Sequence, residues 1–235
     1  MAIYTYSTSS AVLRYALNYK ELNYKTQWVE YPDIESVCKR YGAPPTSNTP
    51  GQPQYTLPMI YDPATETVVV ESSNIARYLD ATYPETPQLF PAETRTLQAV
   101  FVDTAWPNLG VPLYMNVIHH TWSSLTPRSK VYFRETREDM FGKRLEDLGG
   151  EEDWESLKEA LGKLDEWMKW NGDAPFLTGN RIVFCDILIA GLLTWAKVVC
   201  GPESDGWKRI ASWHDGRWAR MEQLFEKYAH VDHDT

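Results

Sequence analysis

The sequence has no apolar run near the roughly 18 residues that a membrane-spanning helix requires. Its opening, "MAIYTYSTSS", lacks the basic and long apolar regions of a secretory signal peptide. Basic clusters are scarce too, since none is longer than "GKR", and 23 Lys and Arg stand against 32 Asp and Glu for a net charge of -9. These absences argue against membrane and nucleic-acid partners, and we expect a cytoplasmic protein.

Cysteine is also rare, with only Cys38, Cys185 and Cys200 in the chain. They form no Cys-x-x-Cys pair and no metal-finger spacing, so we predict buried or half-buried thiols rather than metal ligands. The last residues, "HVDHDT", contain His and Asp, but a frayed end lacks the surrounding hydrogen bonds that orient metal ligands. We therefore expect no metal site.

What the chain does have is 235 residues and 10 Trp, enough for one large or two small domains. Its first third alternates strand and helix patterns. Strands are predicted in "AIYTY", "KTQWVEY", Leu57 to Tyr61 and Thr67 to Val70, and helices in "SSAVLRYALNYKEL", "DIESVCKRYG" and "ESSNIARYLDATYP". "APPTSNTPGQPQY" is predicted to be a loop. This order predicts a small α/β domain over residues 1–82.

Prolines interrupt residues 83–94, which we interpret as a linker anchored by Leu89 and Phe90. Beyond the linker every pattern is helical, so residues 95–235 are predicted to form an all-helical domain. Pro107 and Pro112 should kink its first, long helix.

The stretch "LPMIYDPATETVVVESSNIARYL" combines two unusual features. Pro58 interrupts an apolar run, although proline lacks the N–H that a strand ladder needs, and a cis proline would expose the backbone of Leu57. Glu71 and Ser72 then stand at the start of a helix, where free N–H groups and the positive dipole end favour a carboxylate. The alternative is that Ser72 or Ser73 only caps the helix.

Together, several motifs resemble those of the cytosolic glutathione transferases. They are "YTYSTSS" with "RYALNY", "TLPMI", "VVVESSNIARYLDATYP", "LFP" and "FLTGNRIVFCDILIAGLL", which span nearly the whole chain. The phrases "RYALNYK", "WVEYPDIE" and "YTLPMIYDPAT" are similar, more narrowly, to the etherase-related class of wood-decay fungi. The resemblance implies an α/β thioredoxin-like N-terminal domain, an all-α C-terminal domain, and glutathione as a co-substrate without a metal.

The resemblance also implies roles for individual residues. Leu57, before the cis Pro58, offers its backbone to the cysteinyl part of glutathione, while Glu71 and Ser72 hold the γ-glutamyl end. The chemistry agrees, because Ser72 can donate to the γ-glutamyl carboxylate and Glu71 can accept from the ammonium group. A capping side chain and a bound anion use the same free N–H groups at the start of a helix.

Conjugation of glutathione needs a thiolate, and a free thiol with a pKa of about 8.5 supplies little of it at neutral pH. Ser7 has the family's spacing from Arg14 for a catalytic serine whose hydroxyl stabilises the sulfur. Ser9, Ser10 and Tyr6 remain alternatives, and all the serines could merely cap the helix.

Two further assignments follow from the resemblance. The glycine carboxylate of glutathione should find a donor in the loop before the cis proline, where Gln52 and Gln54 are available. Asp186 keeps the acidic position of a helix-capping motif, although Val183 replaces the usual hydroxyl residue. We interpret Asp186 as structural.

The electrophile site should lie between the domains, with Trp106, Asn108 and Tyr114 as the main candidates. Other aromatic or titratable candidates on the same helix are His119, His120 and Trp122. The predicted function is conjugation of glutathione to hydrophobic aromatic electrophiles by a homodimer, with peroxidase activity as a possible addition. The alternatives are a ligandin-like binding protein for aromatic or polyphenolic compounds and a glutathione-dependent β-aryl etherase.

Overall fold

The structure is a computed structural model that describes residues 1–5, 11–49 and 52–231. Its main sheet has four strands in the order β2-β1-β5-β6. The strands are β1 Ala2–Thr5, β2 Lys25–Trp28, β5 Met59–Asp62 and β6 Thr67–Val70, and a separate ribbon contains β3 Ser47–Thr49 and β4 Gln52–Gln54. β1 pairs with β2 in parallel and with β5 antiparallel, and β5 pairs with β6 antiparallel.

Three helices cover the sheet because alternate strand residues face opposite sides. They are α1 Ala11–Tyr19, α2 Ile34–Arg40 and α3 Ser72–Thr82. Ile3 and Ile60 pack with α1 and α3 on one face, whereas Tyr4, Met59 and Val70 pack with α2 on the other. The thioredoxin-like fold of the N-terminal part is confirmed, with its strands and helices in the expected order.

The ribbon of β3 and β4 corrects the prediction of a loop at "APPTSNTPGQPQY". Within it, Pro53 pairs opposite Asn48. A two-stranded ribbon leaves one edge of each strand unpaired, so a proline there need not remove a ladder hydrogen bond. The high Pro and polar content therefore concealed a strand pair.

The remaining helices form the all-helical part. They are α4 Arg95–Ala105, α5 Val111–Ser123, α6 Pro127–Phe141, α7 Glu151–Met168, α8 Phe184–Cys200, α9 Asp205–Ser212 and α10 Arg217–Phe225. At the position of the predicted kink, a π-helical turn over Trp106–Gly110 separates α4 from α5. The eight-residue α9, capped by the Ser204 side chain, was not predicted because it spans barely two turns. Within the described ranges, none of the helices is long and apolar enough to cross a membrane.

The linker is fixed by a buried ion pair. Lys20 Nζ lies 2.8 Å from Asp80 Oδ1, and the Asp80 carboxylate also accepts hydrogen bonds from the N–H groups of Leu89 and Phe90. Both side chains are buried, as predicted for anchors. The domain limits themselves, 1–82 and 95–235, stay predictions.

Helix α1 is held against α8. The Tyr15 hydroxyl lies 2.7 Å from Thr194 Oγ1 in a buried hydrogen bond. A Cβ placed on Gly191 would lie only 2.4 Å from Val12 Cγ2, so this close helix crossing requires glycine. The start of α1 is therefore positioned by both parts of the chain.

Asp186 fixes the start of α8 and the preceding loop, as the structural interpretation predicts. Its buried carboxylate accepts the N–H of Leu177 at 2.8 Å and the N–H of Val183 at 2.9 Å. Val183 has no side-chain acceptor, and the Asp186 N–H donates to the Val183 carbonyl oxygen instead. Burial raises the pKa of Asp186 to about 7 against the opposing effect of these hydrogen bonds.

We expect Asp186→Asn to lower the free energy of unfolding by about 3 kcal/mol, because the amide cannot accept at both positions. The pKa of Asp186 in the folded state, about 7, lies above its ordinary value of 3.8. Between these two pH values the native state therefore binds a proton that the unfolded state has released. The stability advantage of the wild type over the variant should thus be largest below about pH 4 and shrink as the pH rises to about 7. Urea unfolding across this range measures it, and an advantage that grows with pH would contradict the prediction.

Candidate functional site

The candidate site lies at one end of the main sheet. Tyr4 pairs with Met59, and Met59 pairs with Val70, so three strand ends reach the same edge. The last residues of β1, the first residue of β5 and the last residue of β6 lie there. Helices α1 and α3 follow β1 and β6, and α3 begins directly after this end. This arrangement brings the backbone that enters β5 and the free N–H groups at the start of α3 to the same end of the sheet.

The entry to β5 has the expected cis peptide bond between Leu57 and Pro58. Leu57 is buried and Pro58 is half-buried. The pairing of β5 with both neighbours starts at Met59. The N–H and C=O groups of Leu57 therefore lie outside the ladder, at the edge where an extended peptide could pair with them.

The start of α3 differs from a simple serine cap. Glu71 occupies the N-cap position with φ 70° and ψ 124°, and its side chain makes no capping hydrogen bond. The alternative in which Ser72 or Ser73 caps α3 is thus wrong, since Ser72 is already helical. Its N–H belongs to the first turn, which has no intrahelical acceptor. A positive φ at a non-glycine residue is unfavourable, and such residues concentrate at functional sites.

Glu71 also has a neighbour on the approach to the cis bond. The Thr56 hydroxyl lies 3.3 Å from Glu71 Oε1 and 3.0 Å from Thr46 Oγ1. The three side chains connect α3 with the segment that leads from the ribbon to Leu57. This contact links the exposed carboxylate of Glu71 to the segment that leads to Leu57.

Several predicted residues cannot be placed. Ser7 and its alternatives Tyr6, Ser9 and Ser10 lie outside the described residues, as does the side chain of Gln52. Gln54 is exposed, and its backbone carbonyl accepts from the Thr46 N–H at 2.8 Å. Its side chain lines a cleft of about 270 Å³.

This cleft lies between the N-terminal part and α6. One wall has Gln54, Tyr55 and Thr56, and the opposite wall has Tyr132 and Arg137, among others. Sequence reasoning missed Arg137. Nothing in "RETRED" distinguishes it from the other charged residues of α6, because only the fold brings it opposite Gln54.

The electrophile candidates do not gather in one pocket. The ring of Tyr114 packs 6.3 Å from Trp106, 5.9 Å from Trp195 and 6.2 Å from Phe141. Asn108 instead donates to the Thr104 carbonyl oxygen at 2.8 Å and lines another groove, of about 920 Å³, between α4 and α7. The roles of Trp106, Asn108 and Tyr114 stay predictions.

The second half of α5 has an aromatic and charged cluster. His119 stacks on Trp122 with ring centres 5.5 Å apart, and the Arg134 guanidinium lies 4.3 Å above the same ring. Arg134 is also paired with Glu138 and Glu146. Burial and the neighbouring His119 lower the pKa of His120. The charge of Arg134 is thus balanced by two glutamates, and its contact with Trp122 joins α6 to α5.

Cys38 and Cys185 are buried thiols, as predicted, and Cys200 is half-buried. Burial raises the pKa of all three, in Cys200 to about 11. None is therefore a ready thiolate at neutral pH. Among residues 1–5, 11–49 and 52–231, no group of three or more His, Cys, Asp or Glu side chains is arranged to hold a metal ion.

Comparison with protein families gives two matches that together cover most of the chain. The model described as "Glutathione S-transferase, N-terminal domain" matches residues 2–87. The model described as "Glutathione S-transferase, C-terminal domain" matches residues 96–228.

Two solved structures and one further relative are similar to most of this chain. Glutathione transferase GSTFuA2 from Phanerochaete chrysosporium is 45% identical, with 98% of each chain covered and a TM-score of 0.94. CsGST63524 of Ceriporiopsis subvermispora, solved in complex with glutathione, is 40% identical, with 99% of each chain covered and a TM-score of 0.92. The glutathione S-transferase-like protein ustS of Aspergillus flavus is 26% identical over 92% of this chain and 82% of its own length.

The backbone of Glu71 generates a stability prediction. At φ 70° glycine suits the conformation better than alanine. We therefore expect Glu71→Gly to unfold with a free energy about 1 kcal/mol higher than Glu71→Ala. At the exposed helical residue Asn74 the order should reverse by about 1 kcal/mol, because alanine favours the helix. Urea unfolding of all four variants measures both differences, and the same order at both positions would contradict the prediction.

Proposed function

The chain belongs to the glutathione S-transferase family, and we propose that this glutathione transferase conjugates the glutathione thiolate to hydrophobic aromatic electrophiles. The observation that carries the proposal is the meeting of the cis Leu57–Pro58 peptide and the start of α3 at one end of the sheet. A backbone edge and a helix N-terminus there suit a peptide ligand that has a terminal carboxylate.

In the proposed complex, glutathione lies along this edge. The backbone of Leu57 pairs with the cysteinyl residue, because its N–H and C=O are outside the sheet ladder. The N–H and hydroxyl of Ser72 donate to the γ-glutamyl carboxylate, and the Glu71 carboxylate accepts from the ammonium group. The side chain of the N-cap residue Glu71 makes no capping hydrogen bond to α3, which supports this assignment because that side chain leaves the N–H groups of the first turn to a ligand.

The catalytic step requires stabilisation of the sulfur as a thiolate. We assign this role to Ser7, which lies in the sequence between β1 and α1, as a hydrogen-bond donor. The thiolate then attacks the electrophilic carbon and the leaving group departs, while the serine keeps its proton. The pKa of a thiol falls by about 2 units if its thiolate gains roughly 2.7 kcal/mol, a plausible sum for one hydrogen bond and a helix dipole.

The test of this function is conjugation of glutathione to chlorodinitrobenzene. We expect measurable turnover in the wild type and a loss of about 10- to 1000-fold in Ser7→Ala, as for other single stabilising donors. Glutathione affinity should hardly change, and the pKa of the bound thiol should rise. Ser9→Ala and Ser10→Ala are the matched controls. If the thiolate absorbance of Ser7→Ala titrates as in the wild type, Ser7 has no such role.

Ser72 and Ser73 offer a matched pair for the binding site, since both are half-buried in the first turn of α3. We expect Ser72→Ala to weaken glutathione binding by about 1.5 to 3 kcal/mol, because a hydroxyl donor to a charged group is lost. Ser73→Ala should leave affinity nearly unchanged. Calorimetric titration compares the two, and equal affinities for Ser72→Ala and the wild type would refute the assignment.

A second candidate function is binding of aromatic or polyphenolic ligands without turnover. The groove of about 920 Å³ between α4 and α7 favours it, because Phe101 and Trp167 supply aromatic surface there. β-Aryl ether cleavage and peroxidase activity remain predictions that rest on the resemblance alone. A homodimer in the cytoplasm also remains part of the proposal.

A further inference from the structure

We propose that Arg137 binds a carboxylate group in the cleft that α6 shares with the segment from Gln54 to Thr56. The inference rests on the proposed glutathione site, whose Glu71 lies next to this cleft through Thr56. It adds a residue of the helical part to substrate recognition and names the chemical group that this residue takes.

The charge of Arg137 is the first argument. The other two arginines of α6 are neutralised, Arg128 by Asp33 and Arg134 by Glu138 and Glu146. No carboxylate in the described part of the chain lies within ion-pair distance of Arg137. A guanidinium that is half-buried and lacks a counter-charge favours an anionic ligand.

The second argument is that the guanidinium is held in place with donors to spare. Its carbon lies 4.7 Å from the centre of the Phe133 ring. Its Nε lies 3.4 Å from the Tyr114 hydroxyl, and its Nη1 donates to Thr136 Oγ1 at 2.9 Å. These contacts use two of the five N–H donors of an arginine, so further donors are left for a carboxylate.

The third argument is the composition of the cleft. Glu35 is its one carboxylate, and it is paired with Lys39 at 2.6 Å. The lining residues and Lys39 thus leave one positive charge, that of Arg137. Gln54 and Thr56 add neutral polar groups on the opposite wall, and Tyr31 adds an aromatic surface. The volume of about 270 Å³ suits a small group or part of a ligand rather than a large ligand.

Two carboxylates of the proposed reaction could reach Arg137. One is the glycine carboxylate of glutathione, which would meet Arg137 and Gln54 together. The other is the carboxylate of an acidic aromatic electrophile. The binding chemistry is the same, and only substrates that lack one carboxylate can distinguish the two sources.

The experiment compares wild type, Arg137→Gln and the control Arg128→Gln in conjugation assays. Glutathione is compared with its glycine ethyl ester, and chlorodinitrobenzene with chloronitrobenzoate. If Arg137 binds the glycine carboxylate, Arg137→Gln should raise the KM for glutathione about 10- to 100-fold and abolish the preference over the ester. If Arg137 instead binds the carboxylate of the electrophile, Arg137→Gln should raise the KM for chloronitrobenzoate by the same factor and leave the KM for glutathione unchanged. Arg128→Gln should change neither.

The wild type alone keeps the inference falsifiable if Arg137→Gln does not fold. An enzyme that does not discriminate between glutathione and its ester, nor between the neutral and acidic electrophiles, would overturn it. Unchanged KM values in a folded Arg137→Gln variant would do the same. If the wild type conjugates neither electrophile, the proposed function fails instead. The role of Arg137 in glutathione binding is then decided by calorimetry, in which glutathione and its ester are each titrated into wild type and into Arg137→Gln.

Discussion

The pairing of β1, β5 and β6 is the constraint on which the site depends. Because Met59 is opposite both Tyr4 and Val70, Leu57 and Glu71 emerge at the same end of the sheet. A shift of one residue in this register would turn Met59 and Val70 from the buried face to the opposite one. The hydrophobic cores on the two faces thus fix the register, and the register fixes the distance between the cis peptide and the start of α3. Binding geometry here is a consequence of core packing.

Helix α1 extends this constraint to the helical part. Leu13 and Leu17 belong to the core beneath the sheet, while Tyr15 and Ala16 belong to the core of the helical part. One short helix is therefore buried on two sides, with Val12 close against Gly191. Loosening of α8 would release the helix that begins at the candidate site. The helical part therefore buries a face of α1 that the sheet leaves uncovered, and this burial stabilises the thioredoxin-like domain.

The sequence predicted most of the fold because apolar periodicity determines which face of each element is buried. The patterns around Ile3, Leu13 and Ile75 were sufficient for this reason. The ribbon of β3 and β4 was missed because its stability depends on pairing between two polar segments rather than on an apolar face. The site was predicted in the same uneven way. Glu71 belongs to a local motif, but Arg137 is functional in our proposal only through its three-dimensional neighbours, which no local pattern encodes.

Charge explains why such neighbours matter. The chain has a net charge of -9, and glutathione is itself an anion, so the net charge of the protein does not favour their encounter. At physiological ionic strength charges farther apart than about 8 Å are largely screened. Binding must therefore come from short-range donors, such as the first turn of α3 and a guanidinium without a counter-charge. Arg134 cannot serve this purpose, since Glu138 and Glu146 already neutralise it. Among the described residues, two arginines of α6 are thus paired with carboxylates, and the third, Arg137, is the one that our proposal assigns to a ligand.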